Sequence, residues 1–284
     1  MKKQLFFVVA LLLLSGCGGQ SKQAVSATSK VNSSQTSAAK KSSVTNSVEK
    51  SSAVTSSASA TTTSSSVSSQ SSNQNQTYPR IILMNQQLVK ALGQVVLPQV
   101  DGLDAGSQRL NVRYRGNAAN FTIDYSVGST AKDFNDSSLN QENPYAVYSK
   151  QTFENSTQAA QQINYRSADE FSGLPQTNLG YGITGTIDAG AGQRYLSWYE
   201  GNWYLTVHAA AVNQEDPTPL AKQTVAFLAS NSLPAPQKYG RISFQTAITN
   251  RQRDQEIIWQ KNNVVYRLQT HTPQTALKMA VSIK

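Results

Sequence analysis

The stretch Arg194-Tyr195-Leu196-Ser197-Trp198-Tyr199-Glu200-Gly201-Asn202-Trp203-Tyr204-Leu205-Thr206-Val207-His208 decides how this chain folds. Leu196 and Trp198 alternate with Tyr195, Ser197 and Tyr199, and after the turn Leu205 and Val207 alternate with Tyr204, Thr206 and His208. Side chains of a strand point alternately to its two faces, so period-two patterning on both sides of a glycine-containing turn predicts an antiparallel hairpin. With Gly201-Asn202 as the two central turn residues, the register follows. Leu196 faces Val207 and Trp198 faces Leu205; on the opposite face Tyr199 pairs with Tyr204, Ser197 with Thr206 and Tyr195 with His208.

Ile183 to Asp188 reads as a strand before this hairpin. After it, Asp216-Pro217 or Thr218-Pro219 supplies a capping residue and a first-turn proline, with Leu220, Thr224, Val225 and Leu228 on one helical face. The C-terminal part has the same plan. Arg241 to Thr246, Glu256 to Trp259 and Val264 to Leu268 read as strands, the last two joined across Asn262-Asn263, which tolerate positive φ. Thr272-Pro273 then opens a helix with Leu277, Ala280 and Val281 on one side. Trp198 and Trp259 occupy the same place before the turn, and Leu196 matches Ile257. The pattern predicts a diverged unit of three strands and a helix at 183–230 and 241–283, with a looser copy at 109–165.

The looser copy begins with Leu110, Val112 and Tyr114, a Gly116-Asn117 turn, and Phe121, Ile123 and Tyr125, again in alternation. Its other face, Asn111, Arg113 and Arg115 opposite Thr122 and Asp124, reads as solvated. Tyr145 to Phe153 reads as a strand, Ser156 to Tyr165 as a helix, and 167–182 as a Gly/Pro/Asn-rich connection. Ahead of all this, Ile81 to Leu92 reads as a helix stopped at Gly93. The expected fold class is α+β: antiparallel β-meander plus helix units, repeated two to three times in one compact domain over 78–284, with helices covering one face of each sheet. Trp198 and Trp259 are core anchors on this reading, with ligand stacking as the alternative.

The N-terminal segment has a different character. Lys2 and Lys3 precede an unbroken apolar run from Leu5 to Leu14, then Ser15, Gly16 and Cys17. The run is half of the roughly 20 residues a membrane span needs, so it reads as an export signal. Leu14-Ser15-Gly16-Cys17 resembles the lipobox of bacterial lipoproteins. The resemblance implies removal of residues 1–16, diacylglyceryl lipidation of Cys17, and residence on the outer, extracytoplasmic face of the cell membrane of a single-membrane bacterium. Two acyl chains anchor stably where one holds weakly. Residues 17–77 read as a tether, because 29 of the 60 residues from Gly18 to Thr77 are Ser or Thr and none is aromatic. Residues 78–284 are similar to surface lipoproteins of unknown function in lactic acid bacteria, and the Trp-turn-strand-helix unit resembles units of envelope-stress sensors.

Cys17 is the single cysteine, so no intrachain disulfide can form. The formal charge of +9, or +7 without Lys2 and Lys3, suits anionic lipid and wall polymers, and export argues against nucleic acid. His208 and His271 are the only histidines, no Gly-x-Ser-x-Gly elbow occurs, and no metal-ligand spacing or phosphate-binding glycine loop is present. The expectation is therefore no metal, no cofactor and no catalytic residue. The candidate binding face is Tyr195, Tyr199, Tyr204 and His208, suited to stacking on sugar rings or holding an extended peptide. The same tyrosines in a second reading only stabilise the hairpin or lie under a neighbouring element. Partners are the membrane through the anchor and a cell-wall polymer or envelope protein. Two rival functions stay open: a wall glycan hydrolase using the loop pairs Asp101/Asp104 or Asp133/Asp136, and a sensor acting through a membrane partner.

Replacing Cys17 with Ala should move the protein from the membrane fraction to the medium, or leave it unprocessed at precursor size. A variant that stays membrane-bound at mature size would contradict the anchor.

Overall fold

The computed structural model of the chain describes residues 78–249 and 251–284. The signal segment 1–16, Cys17 and the tether 17–77 lie outside the described residues. The chain opens with α1 (Arg80–Leu92), whose Ile81, Met84, Leu88 and Leu92 are buried at helical spacing and which stops at Gly93 with φ 77°. The strands β1 (Leu110–Gly116), β2 (Phe121–Val127) and β3 (Ala146–Thr152) follow, then the short helix α2 (Ser156–Gln161). Next come β4 (Gln176–Gly180), β5 (Ile183–Gly190), β6 (Gln193–Glu200), β7 (Trp203–Ala210) and α3 (Thr218–Leu228). The last elements are β8 (Gly240–Gln245), β9 (Gln255–Lys261), β10 (Val264–Thr270) and α4 (Pro273–Val281). Among the described residues no helix is long and apolar enough to cross a membrane.

All ten strands form one sheet in the order β1-β2-β3-β10-β9-β8-β7-β6-β5-β4. Every pair is antiparallel except β7 with β8, which run parallel because α3 carries the chain back across the sheet. The fold is α+β with a mixed, mostly antiparallel sheet. The meanders expected to form separate sheets merge into one, because β8 pairs beside β7 and β10 pairs beside β3.

One sheet face carries the main core, where α1, α3 and α4 pack on Leu110, Ile123, Leu196, Leu205, Phe244, Ile257 and Leu268. Trp198 and Trp259 are both buried there, and Trp259 stacks on Tyr266 at 5.2 Å and on Tyr148 at 6.3 Å. The core reading of the two tryptophans therefore holds. Contrary to the expectation that helices cover a single face, α2 lies on the other face. Its Ala159, with Ile163 after it, packs on Ile258 and Val265, which alternate with core-facing Ile257, Trp259 and Leu268.

Three further differences have local causes. Strand β4 lies inside the stretch read as a connection; its only fully buried residue is Leu179 and a bulge at Asn178/Gly180 interrupts it, so no alternation marks it. Helix α2 ends at Gln161, and Asn164 at φ 52° turns the chain before Tyr165. The face of the first hairpin read as solvated is covered in part: Asn111 and Asp124 are buried, whereas Arg115 stays exposed and Arg113 and Thr122 are half-buried. Asn111 donates to Thr130 O at 3.2 Å and to Glu142 at 3.1 Å, and accepts from Lys132 N–H at 2.8 Å. Asn135 closes the outer edge of β1, donating to Val112 O at 3.0 Å and accepting from Tyr114 N–H at 2.9 Å.

At the parallel joint Gly240 lies against the Trp203 ring, where a β-carbon would come within 2.6 Å. Gly240→Ala should cost about 1–3 kcal/mol through overpacking, and Trp259→Ala about 3–5 kcal/mol through lost burial and cavity formation. Urea denaturation checks both, and parental stability in either variant would contradict this packing.

Candidate functional site

The hairpin β6–β7 has the register its sequence implies: Leu196 opposite Val207, Trp198 opposite Leu205, Tyr199 opposite Tyr204, Ser197 opposite Thr206 and Tyr195 opposite His208. The four candidate binding residues accordingly share the sheet face away from the main core. They do not share one environment.

Tyr199 and Tyr204 are covered by the segment 163–171. Tyr204 is 4% exposed, and its ring stacks on Phe171 at 5.9 Å and meets Tyr165 edge-on at 6.0 Å. Tyr165 stacks in turn on Tyr239 at 4.2 Å. The Tyr199 hydroxyl donates to Arg166 O at 2.9 Å, and burial, then the neighbouring Tyr204 and Tyr165, raise its pKa, which keeps that proton in place. The cover is braced from within. Ser167 and Glu170 form a capping box, and Arg166 reaches Glu170 at 3.0 Å while lying over the Phe171 ring at 4.3 Å. The expected exposed strip is thus corrected at Tyr199 and Tyr204. Tyr165 and Phe171, apolar bodies in a segment without periodicity, needed burial themselves and found it on these two rings.

Tyr195 and His208 form the open half. Tyr195 is 42% exposed and stacks on His208 at 4.7 Å. The imidazole is held at both nitrogens, by Gln193 Oε1 at 2.6 Å from Nε2 and by Gln245 at Nδ1. Both ring nitrogens are thereby held by glutamine side chains, which fixes the orientation of the ring under Tyr195. Cross-strand register extends this half into a polar floor. His208 is opposite Gln245 and Thr206 opposite Ser243 across the parallel joint, and Ser243 is opposite Glu256. Glu256 sits between Arg241 at 2.5 Å and Arg267 at 3.1 Å and accepts from Gln269 at 3.3 Å. Hydroxyls, amides and one stacked aromatic on a shallow sheet surface can grip a hydroxylated chain by hydrogen bonds and ring stacking.

Three of the four loop aspartates, Asp101, Asp104 and Asp136, are engaged locally through their carboxylates. Asp101 accepts from Leu103 N–H at 3.0 Å, and Asp104 pairs with Lys278 at 2.5 Å. Asp136 accepts from the Ser138 N–H at 2.8 Å and hydroxyl at 2.6 Å, bonds that hold its carboxyl below the usual range. His271 lies away from this floor, its pKa lowered by burial and by Arg253. Among the described residues no group of three His, Cys, Asp or Glu side chains could hold a metal ion.

Gln193, Gln245, Ser243 and the Arg241–Glu256–Arg267 group were not singled out from sequence. Gln193 carried a signal, since it continues the alternation below Tyr195. The others join the site only through the β7–β8 pairing. Comparison of the chain with protein-family models, with curated proteins and with solved structures gives no match.

The two halves should separate in a stability measurement. Tyr204→Ala, which empties a buried ring, should cost about 3–5 kcal/mol, whereas Tyr195→Ala should stay within about 0.5 kcal/mol of the parent. Equal destabilisation of both would contradict the covered and open assignment.

Proposed function

We propose that this chain is a lipoprotein anchored through Cys17 to the outer face of a bacterial cell membrane, with a non-enzymatic folded domain that binds a cell-envelope component. The observation that carries the binding reading is the open polar floor around Tyr195 and His208. The exposed Tyr195 ring stacks on His208, which is held by Gln193 and Gln245, so a stacking surface has donors and acceptors close by. Such a surface suits a wall glycan, whose sugar rings have apolar faces and hydroxyl rims. The N-terminal run ending in Cys17 supports the location.

We also read β5–β7–α3 and β8–β10–α4 as diverged copies of one unit. Trp198 and Trp259 support this, each facing the main core near the end of its strand, with Leu196 and Ile257 two residues earlier.

The test uses residues 18–284 and isolated cell wall. The parent should bind saturably and release no soluble sugar, and Tyr195→Ala with His208→Ala should weaken binding about tenfold, a loss of about 1.4 kcal/mol. Sugar release would overturn the non-enzymatic reading, and unchanged binding in the double variant would overturn the assigned surface.

A further inference from the structure

Two carboxylates on the polar sheet face are each held between two guanidiniums. Asp124 on β2 lies 3.0 Å from Arg113 and 2.8 Å from Arg115, and Glu256 on β9 is paired with Arg241 and Arg267. Each group of three therefore carries one positive charge in excess. In each, one arginine stays open to solvent: the side chain of Arg115 is 63% exposed and that of Arg267 39%.

The register places these two open arginines in a single row. Arg115 is opposite Thr122, Thr122 opposite Ser149, and Ser149 opposite Arg267, across the adjacent strands β1, β2, β3 and β10. Directly opposed residues project from the same face. Three interstrand spacings separate the arginines, about 14 Å between backbones. The Thr122 and Ser149 hydroxyls between them make no hydrogen bond to other described residues. An open cavity of about 510 Å³ lies over the first part of the row, with Arg115, Thr122, Ser149 and Gln151 among the residues that line it.

We propose that the row Arg115, Thr122, Ser149 and Arg267 is a binding track for an anionic polyol phosphodiester, with glycerol phosphate as the repeating chemistry. A guanidinium presents a planar fork of donors that matches two phosphate oxygens, and the intervening hydroxyls serve the polyol. Two excess charges about 14 Å apart match an extended polyanion better than a single small anion. The paired arginines make the exchange inexpensive. When Arg115 turns to the ligand, Asp124 keeps Arg113, and when Arg267 turns, Glu256 keeps Arg241, so neither carboxylate is left buried without a counter-charge. The track rests on the envelope-binding reading and shares Arg267 with the far end of that polar floor, but it uses neither Tyr195 and His208 nor the glutamines beside them.

Glycerol phosphate occurs both as a free polymer and as a lipid headgroup, so the test has an arm for each. Residues 18–284 are titrated with poly(glycerol phosphate), with phosphatidylglycerol vesicles, and with neutral phosphatidylcholine vesicles as control. The parent should bind at least one glycerol phosphate probe saturably, more weakly as salt rises. Arg115→Gln and Arg267→Gln should each weaken it about tenfold or more, while Lys278→Gln, on α4 across the sheet, should match the parent. Binding to polymer alone assigns the track to a wall polymer, and binding to vesicles alone to a lipid headgroup. Failure to bind either probe, or equal affinity in both arginine variants and the parent, overturns the proposal. If Arg115→Gln loses its cooperative unfolding transition, Arg267→Gln and Ser149→Ala decide the matter. Tyr195→Ala should lower wall binding and leave glycerol phosphate binding unchanged, so the two readings fail separately.

Discussion

The parallel pairing of β7 with β8 is the joint on which the rest of this sheet depends. Six strands on the β8 side and four meandering strands on the β7 side become a single surface only because α3 returns the chain so that Gly240 can slide under Trp203. The absence of a side chain at Gly240 lets the indole close over the backbone, and the indole in turn approaches Trp259 at 6.5 Å across the core. That contact ties the C-terminal strands to the central hairpin. It also sets His208 beside Gln245 and Thr206 beside Ser243, which is what turns a hairpin face into a floor.

A second non-sequential joint does the same work at the other end. β10 is the last strand in the chain, yet it pairs with β3, and this places Arg267 opposite Ser149. Both polar regions of the open face are therefore assembled from strands far apart in sequence. Long-range pairing of this kind carries a loop-closure cost that local hairpins avoid. The apolar side chains on the reverse face, packed under α1, α3 and α4, supply the burial that offsets it.

A sheet with a helical layer on one side leaves its second face to be hidden or made polar, and this protein does both. The loop 128–143 seals Asn111 and Asp124 at one end; α2 and the segment 163–171 seal Ile258, Val265, Tyr199 and Tyr204 nearer the middle. Charges that remain are matched in place. Asp124 and Glu256, both mostly removed from water, are each given two arginines, because a carboxylate in that setting with no counter-charge would be strongly destabilising. What is left uncovered is a polar surface with its own geometry.

Local patterning determined much of this. The register of β6 and β7 was legible residue by residue, because a two-residue turn and strict alternation admit one pairing, and α1 and α4 were legible from their periodicity, Gly93 and Thr272-Pro273. β4 was not legible, since an edge strand with one buried side chain has no alternation to read. The sequence likewise put Tyr195, Tyr199, Tyr204 and His208 on one face without revealing that Tyr165 and Phe171 would cover two of them. Only tertiary structure decided that, and only it brought Arg115 into line with Arg267. Periodicity reports which face of its own strand a residue occupies; which distant strand lies alongside, and which loop lies above, depends on burial and hydrogen bonding summed over the whole fold.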